Sequence, residues 1–140
     1  MTAGYSGTPL PRKLGIKDDS RVLVINPPDG FDPGAPFDSA AGEWAQLGAD
    51  PYDVVLLFCA DAAALQGGFD RAAARHRTKG MIWVCWPKKA SGVPTDLTEN
   101  LVREYGLTHR RVDVKVAAID ETWSGLKFVI RIADRSPAGG

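Results

Sequence analysis

A chain of 140 residues, 44% of them apolar, carries enough apolar surface for one buried core and too little length for two. Basic and acidic residues number 17 each, a formal net charge of zero; this excludes a global basic field that would gather nucleic acid by its phosphates, so any anion site must be local. The longest apolar run, residues 53–65, is broken by Asp61 and falls far short of the roughly 20 residues a membrane-spanning helix needs, so neither a membrane nor a nucleic acid is an expected partner.

In chain order, the N-terminal stretch MTAGYSGTPLPRKLG has no basic segment followed by an apolar one, so export is not expected and the cytoplasm is the expected location. Its TPLPRKLG portion offers Thr8 as a cap and Pro9 at the first helical position, which predicts a short turn packed down ahead of the first strand. Residues 21–26, 53–59, 81–86, 112–119 and 126–132 have the run length and the β-branched or aromatic content of strands. Helical patterns fall between them. Residues 39–47 place Ala41, Trp44 and Ala45 on one face, and residues 61 to about 76 place Leu65, Phe69, Ala72 and Ala73 on one face, weakened by Gly67 and Gly68. In TDLTENLVREYG, Asp96 is the expected N-cap, with Glu99 three residues on; Leu97, Leu101, Val102 and Tyr105 face inward and Gly106 ends the helix. Glu99 and Arg103 are spaced to pair across one turn. RSPAGG reads as a frayed tail.

Strands separated by helices imply right-handed crossovers and a parallel sheet covered on both faces, an α/β three-layer Rossmann-like sandwich in a single domain. The last two strands are joined only by DETWSG, too short for a crossover helix, so the final strand must turn back antiparallel as a C-terminal β-hairpin. Alternation puts Val112, Val114, Val116 and Ala118 on one face, with Asp113, Lys115, Ala117 and Ile119 on the other. Lys127 and Arg131 alternate with Phe128 and Ile130, so charges on the two hairpin strands are expected to pair across the sheet.

In an open parallel sheet the ligand crevice lies beyond the carboxyl ends of the strands, here NPPDGF, ADA, WPKKASGVPTD and DETWSG. Lys88 and Lys89, followed by Ser91, Gly92 and Thr95, combine cations with free amides and hydroxyls, a set suited to a carboxylate or phosphate. Trp86 and Trp123 are expected at the same rim, where they could stack on a planar ligand. Asp120 and Glu121 are adjacent and point to opposite faces, so at most one enters a pocket; Asp120 could instead organise the turn with Thr122 and Ser124. Asn26 opens Asn-Pro-Pro, which resembles the start of the tetrad of enzymes that methylate a flipped base, but the tetrad requires an aromatic next and this chain has Asp29, with Phe31 two places late. Cys59 and Cys85 lie in apolar strands without CxxC spacing or neighbouring His, so buried reduced thiols and no metal are expected. His76 is placed near a helix C-terminus, where a cation suits the dipole, and His109 precedes a strand; no Ser-His-Asp set or GxSxG elbow is present.

The segments GYSGTPLPRKLGIK, WPKKASGVPTDLTE and VDVKVAAIDETWSGLKFV resemble, over nearly the whole chain, the small actinobacterial proteins grouped as domain of unknown function 3052. That resemblance implies that these loops belong to the family pattern and implies no reaction or substrate. A second resemblance concerns the fold. KLGIKDDSRVLVI, DVVLLF and KGMIWVCWPK, followed by a helix and a terminal hairpin, are similar to a class I methyltransferase sheet with its second and third strands removed. It implies a five-stranded order 1-2-3-5-4 with strand 5 antiparallel. In that fold S-adenosylmethionine is held by a glycine-rich loop after the first strand and an acidic residue after the second. Here the loop is Asn26-Pro27-Pro28-Asp29-Gly30, whose prolines have no N–H to offer, and the unit bearing the acid is missing, so no cofactor is expected.

The expectation is a non-catalytic binding or regulatory module of degenerate methyltransferase-like fold. Trp86, Lys88, Lys89, Ser91, Gly92, Thr95, Asp120, Trp123, Ser124, Lys127 and Asn26 would engage an anionic small molecule or a partner protein at the carboxyl rim of the sheet. The alternative is a small enzyme related to S-adenosylmethionine-dependent methyltransferases, with Asp120 or Asp29 as base beside the lysine loop.

Overall fold

Uninterrupted apolar runs form the centre of a six-stranded sheet, because each residue of such a strand is covered on one face or the other. The computed structural model describes residues 8–40 and 50–135. Its strands are β1 (Val22–Ile25), β2 (Asp38–Ala40), β3 (Tyr52–Phe58), β4 (His76–Pro87), β5 (Val112–Ala118) and β6 (Trp123–Val129). The helices are α1 (Leu10–Leu14), α2 (Ala62–Ala73) and α3 (Glu99–Thr108). The sheet order is β2-β1-β3-β4-β6-β5, parallel from β2 to β4, with β6 antiparallel to both its neighbours. The protein is therefore a mixed α/β structure with a mostly parallel sheet.

The sheet has six strands where five were expected, and its order differs accordingly. The additional strand, β2, occupies the edge beside β1, and the Asn26 N–H donates to the Ala40 carbonyl at 2.8 Å. Asp38-Ser39-Ala40 contains no β-branched or aromatic residue, so nothing local marks it as a strand; pairing with β1 makes it one. Ser39 and Ala40 were expected to begin a helix over residues 39–47. The rest of that segment, with Ala41, Trp44 and Ala45, lies outside the described residues, as do residues 136–140.

One face of the sheet is covered by α2 and α3. Leu65, Phe69, Ala72 and Ala73 of α2 and Val102 of α3 are buried against Leu23, Val55, Val84, Leu126 and Phe128. Phe69 meets Tyr105 and Phe128 edge-on at 5.5 and 5.8 Å. The opposite face, formed by Val22, Val24, Val54, Leu56, Trp83 and Cys85, receives Leu14 of α1 and the loop residue Phe31. This second outer layer is one helical turn plus loop, tied down where the buried Trp83 indole N–H donates to the Leu14 carbonyl at 3.1 Å. Gly15, at φ 80°, ends α1 in the left-handed conformation that glycine adopts without strain.

Three local expectations are corrected. The cap of α3 is Thr98, whose hydroxyl accepts from the Leu101 N–H at 3.2 Å, so the helix starts two residues late and Leu101 is 48% exposed instead of buried. Gly106 does not end α3 but lies inside it, because a Cβ there would collide with the Phe128 ring; close helix–sheet approach overrides the poor helix propensity of glycine. The hairpin turn is tighter than supposed: Asp120 Oδ1 accepts from the Thr122 and Trp123 N–H groups at 2.8 Å each, so β6 begins at Trp123.

The hairpin charges do not pair across the sheet. A register shift between Asp113 and Lys115 breaks the strict alternation of β5: Asp113 lies opposite Phe128 and Lys115 opposite Lys127. Asp113 instead bonds Arg103 of α3 at 2.9 Å, and Arg103 also pairs with Glu99 at 2.6 Å. His76 does lie just past the C-cap of α2, Ala74, but not as a cation that suits the dipole. It begins β4 opposite Tyr52, is 6% exposed, and accepts from Arg111 Nε at 3.1 Å.

Candidate functional site

At the carboxyl end of β4 the chain leaves the sheet through Trp86 and Pro87, and the Lys88 N–H donates to the Thr122 carbonyl at 2.8 Å. A single 3-10 turn, Lys89–Ser91, follows and closes at Gly92, φ 79°. Ser91 builds this turn: its hydroxyl donates to the Lys88 carbonyl at 2.7 Å and accepts from the Val93 N–H at 3.1 Å. The loop is then pinned to the start of α2. Thr95 Oγ1 donates to the Ala60 carbonyl at 2.7 Å and Asp96 Oδ1 accepts from the Ala62 N–H at 2.8 Å, so Asp96 caps the neighbouring helix and not its own. Asp61 Oδ1 accepts from the Ala64 N–H of the same first turn at 2.9 Å.

Between this loop and the first turn of α3 opens a cleft of about 750 Å³. Of the residues expected at the site, Trp86, Lys88, Lys89, Gly92, Thr95 and Ser124 line it. Trp86 is 5% exposed and serves as its floor. Among the described residues neither Lys88 nor Lys89 has an ion-pair partner, whereas Glu99 in the opposite wall is already engaged by Arg103. That pairing and the contact with Asp113 hold the Arg103 guanidinium above its ordinary range. Two lysine charges therefore face the cleft against one carboxylate that is already paired.

The other expected residues lie elsewhere. Trp123 pairs with Pro87 and Ser124 with Trp86 across the β4–β6 ladder, so successive residues point to opposite faces and the two tryptophans share no rim. Trp123 packs edge-on against Phe58 at 5.1 Å on the far face. Lys127 is on that far face too, opposite Lys115. Asp120 is committed to the hairpin turn and Ser91 to the 3-10 turn. Asn26, at φ 55°, ends β1, with β3 between it and β4. Glu99 and Asn100 line the cleft but were not expected there. Placing the helix cap at Asp96 had assigned Glu99 to a capping box, and only the later start of α3 turns both residues toward the loop.

Neither thiol belongs to the cleft. Cys59 and Cys85 are buried on opposite faces of the sheet. Burial, and then Asp61, pushes Cys59 up to about 12, and burial raises Cys85 as well. Among the described residues no three His, Cys, Asp or Glu side chains gather as a metal-binding group. No helix among them is long and apolar enough to cross a membrane.

No protein-family model matches the chain, and no curated protein matches it. Among solved structures, it is similar to the crystal structure of the PH0226 protein from Pyrococcus horikoshii OT3, with 7% identity over 86% of this chain and 74% of that one and a TM-score of 0.46. A likeness at that level transfers neither a fold name nor an activity.

Proposed function

We propose that this protein is a non-catalytic binding or regulatory module of the domain of unknown function 3052 group, and that its cleft takes an anionic small molecule. One observation carries this reading: Lys88 and Lys89 stand without ion-pair partners among the described residues on the wall of a cleft whose carboxylate, Glu99, is held by Arg103. An anion entering there meets uncompensated positive charge and loses no ion pair in doing so. A carboxylate or phosphate attached to a flat apolar body fits the combination of lysines with a Trp86 floor.

The reading is tested by thermal unfolding with inorganic phosphate, nucleotides, acyl-coenzyme A thioesters and S-adenosylmethionine. A ligand at 100 times its Kd stabilises by about 2.7 kcal/mol, and the double variant Lys88→Glu, Lys89→Glu is expected to abolish that gain. If no compound raises the transition, or the double variant responds equally, the cleft is not the site. S-adenosylmethionine is included because one observation favours the second reading, a methyltransferase relative: antiparallel β6 lies between β4 and β5, and β2 adds a strand beside β1. A response to this compound that survives the lysine changes would favour that reading.

A further inference from the structure

Across β4, β6 and β5, on the face away from α2 and α3, three residues stand in one row: Trp83 opposite Lys127, and Lys127 opposite Lys115. Like charges directly opposite on adjacent strands destabilise a sheet. A lysine on an exposed edge repays that cost by blocking strand addition, which accounts for Lys115 on the edge strand β5. It does not account for Lys127, because β6 lies between β4 and β5 and has no free edge.

Lys127 is also only partly exposed. The Lys115 ammonium lies 6.0 Å from the centre of the buried Trp83 ring. Lys13 reaches the same face from α1 and donates to the Ala118 carbonyl at 3.1 Å. Among the described residues no carboxylate pairs with Lys127 or Lys115. Burial, and then Lys115, lowers the basicity of the Lys127 amine. The buried Cys85 thiol of β4 lies on this face as well.

A lysine placed in apolar surroundings and next to a second cation is the arrangement that makes an amine nucleophilic at neutral pH. We propose that Lys127 is a covalent capture site for aldehydes or ketones that carry an acidic group. Nζ, once it has given up its proton to solvent, adds to the carbonyl carbon, the adduct loses water, and a C=N bond replaces C=O with no change of oxidation state. Lys115 pairs with the acidic group of the captured molecule, which relieves the like-charge contact. The step is reversible and stoichiometric, so it requires no catalytic set and is independent of the cleft.

The probes are pyridoxal 5′-phosphate, an anionic aldehyde, and pyridoxal, which lacks the phosphate. The intact chain is incubated with each, reduced with borohydride, and the labelled lysines are identified by peptide mass spectrometry over a time course. Lys127 is expected to label several-fold faster than the exposed Lys79, and to prefer the phosphorylated probe. In urea the two rates should converge. Lys115→Met should slow Lys127 labelling and remove the preference for phosphate, while Lys115→Arg, which keeps the charge and guards against a mere folding defect, should retain both. Labelling of Lys127 no faster than Lys79, or unchanged in Lys115→Met, overturns the proposal.

Discussion

Acid should loosen this fold through His76. The imidazole is buried at the start of β4, its Nδ1 bonded to the Arg77 carbonyl at 2.7 Å and its Nε2 accepting from Arg111 at 3.1 Å. Only the neutral ring can do both, since a protonated ring has no acceptor to offer Arg111. Burial foremost, with the Arg111 charge opposing the Arg77 carbonyl, depresses His76 to about 4. In the unfolded chain it titrates near 6.5, so between those values the unfolded state holds more protons and stability falls as pH drops. The gap down to about 4 corresponds to about 3 kcal/mol once pH is below both values. By pH 5 the linkage integral gives a loss of about 2 kcal/mol relative to pH 7.5. Urea unfolding followed by tryptophan fluorescence at those two pH values measures the loss. His76→Gln keeps an acceptor for Arg111 but has nothing to protonate, so its loss over the same interval should be smaller by about 2 kcal/mol. An equal loss in wild type and variant refutes the assignment of the buried neutral ring.

Three further changes separate tertiary from local effects. Gly106→Ala, which helix propensity alone would favour by about 0.5–1 kcal/mol, is expected to destabilise by about 1–3 kcal/mol in chemical denaturation because the new methyl meets the Phe128 ring; a neutral or stabilised variant would contradict that packing. Asp96→Ala removes the cap that the loop places on Ala62 and should cost about 1 kcal/mol, read as a lower melting temperature. Trp83→Phe leaves the Leu14 carbonyl without its indole donor, at about 1–3 kcal/mol for the unsatisfied buried group. It should also speed tryptic cleavage after Arg12 and Lys13, and protease resistance equal to wild type would show that α1 is held by other contacts.

Much of this architecture was legible along the chain. The apolar runs in β1, β3 and β4 announced strands covered on both faces, and DETWSG was too short for anything but a hairpin. Leu65, Phe69, Ala72 and Ala73 lie on the buried face of α2 as their spacing required, and Glu99 and Arg103 pair as their four-residue separation allowed. Of the residues expected at the candidate site, Trp86, Lys88, Lys89, Gly92, Thr95 and Ser124 line one cleft, because the carboxyl end of a parallel strand is where loop chemistry gathers.

The remaining features depended on contacts between residues distant in sequence. Asp38-Ser39-Ala40 becomes a strand because β1 offers it an open edge. Gly106 stays inside a helix because Phe128, on β6, occupies the space a side chain would need. Asp96 caps α2 because two loops meet at that helix end. Whether Trp86 and Trp123 met, or Lys127 faced Asp113 or Lys115, turned on single-residue register, and one step of register exchanges the two faces of a sheet. Residue types and their periods thus determined which segments are strands and helices and which loop bears the lysines. Pairing and register, which arise only when the strands assemble, decided which of those side chains share a surface.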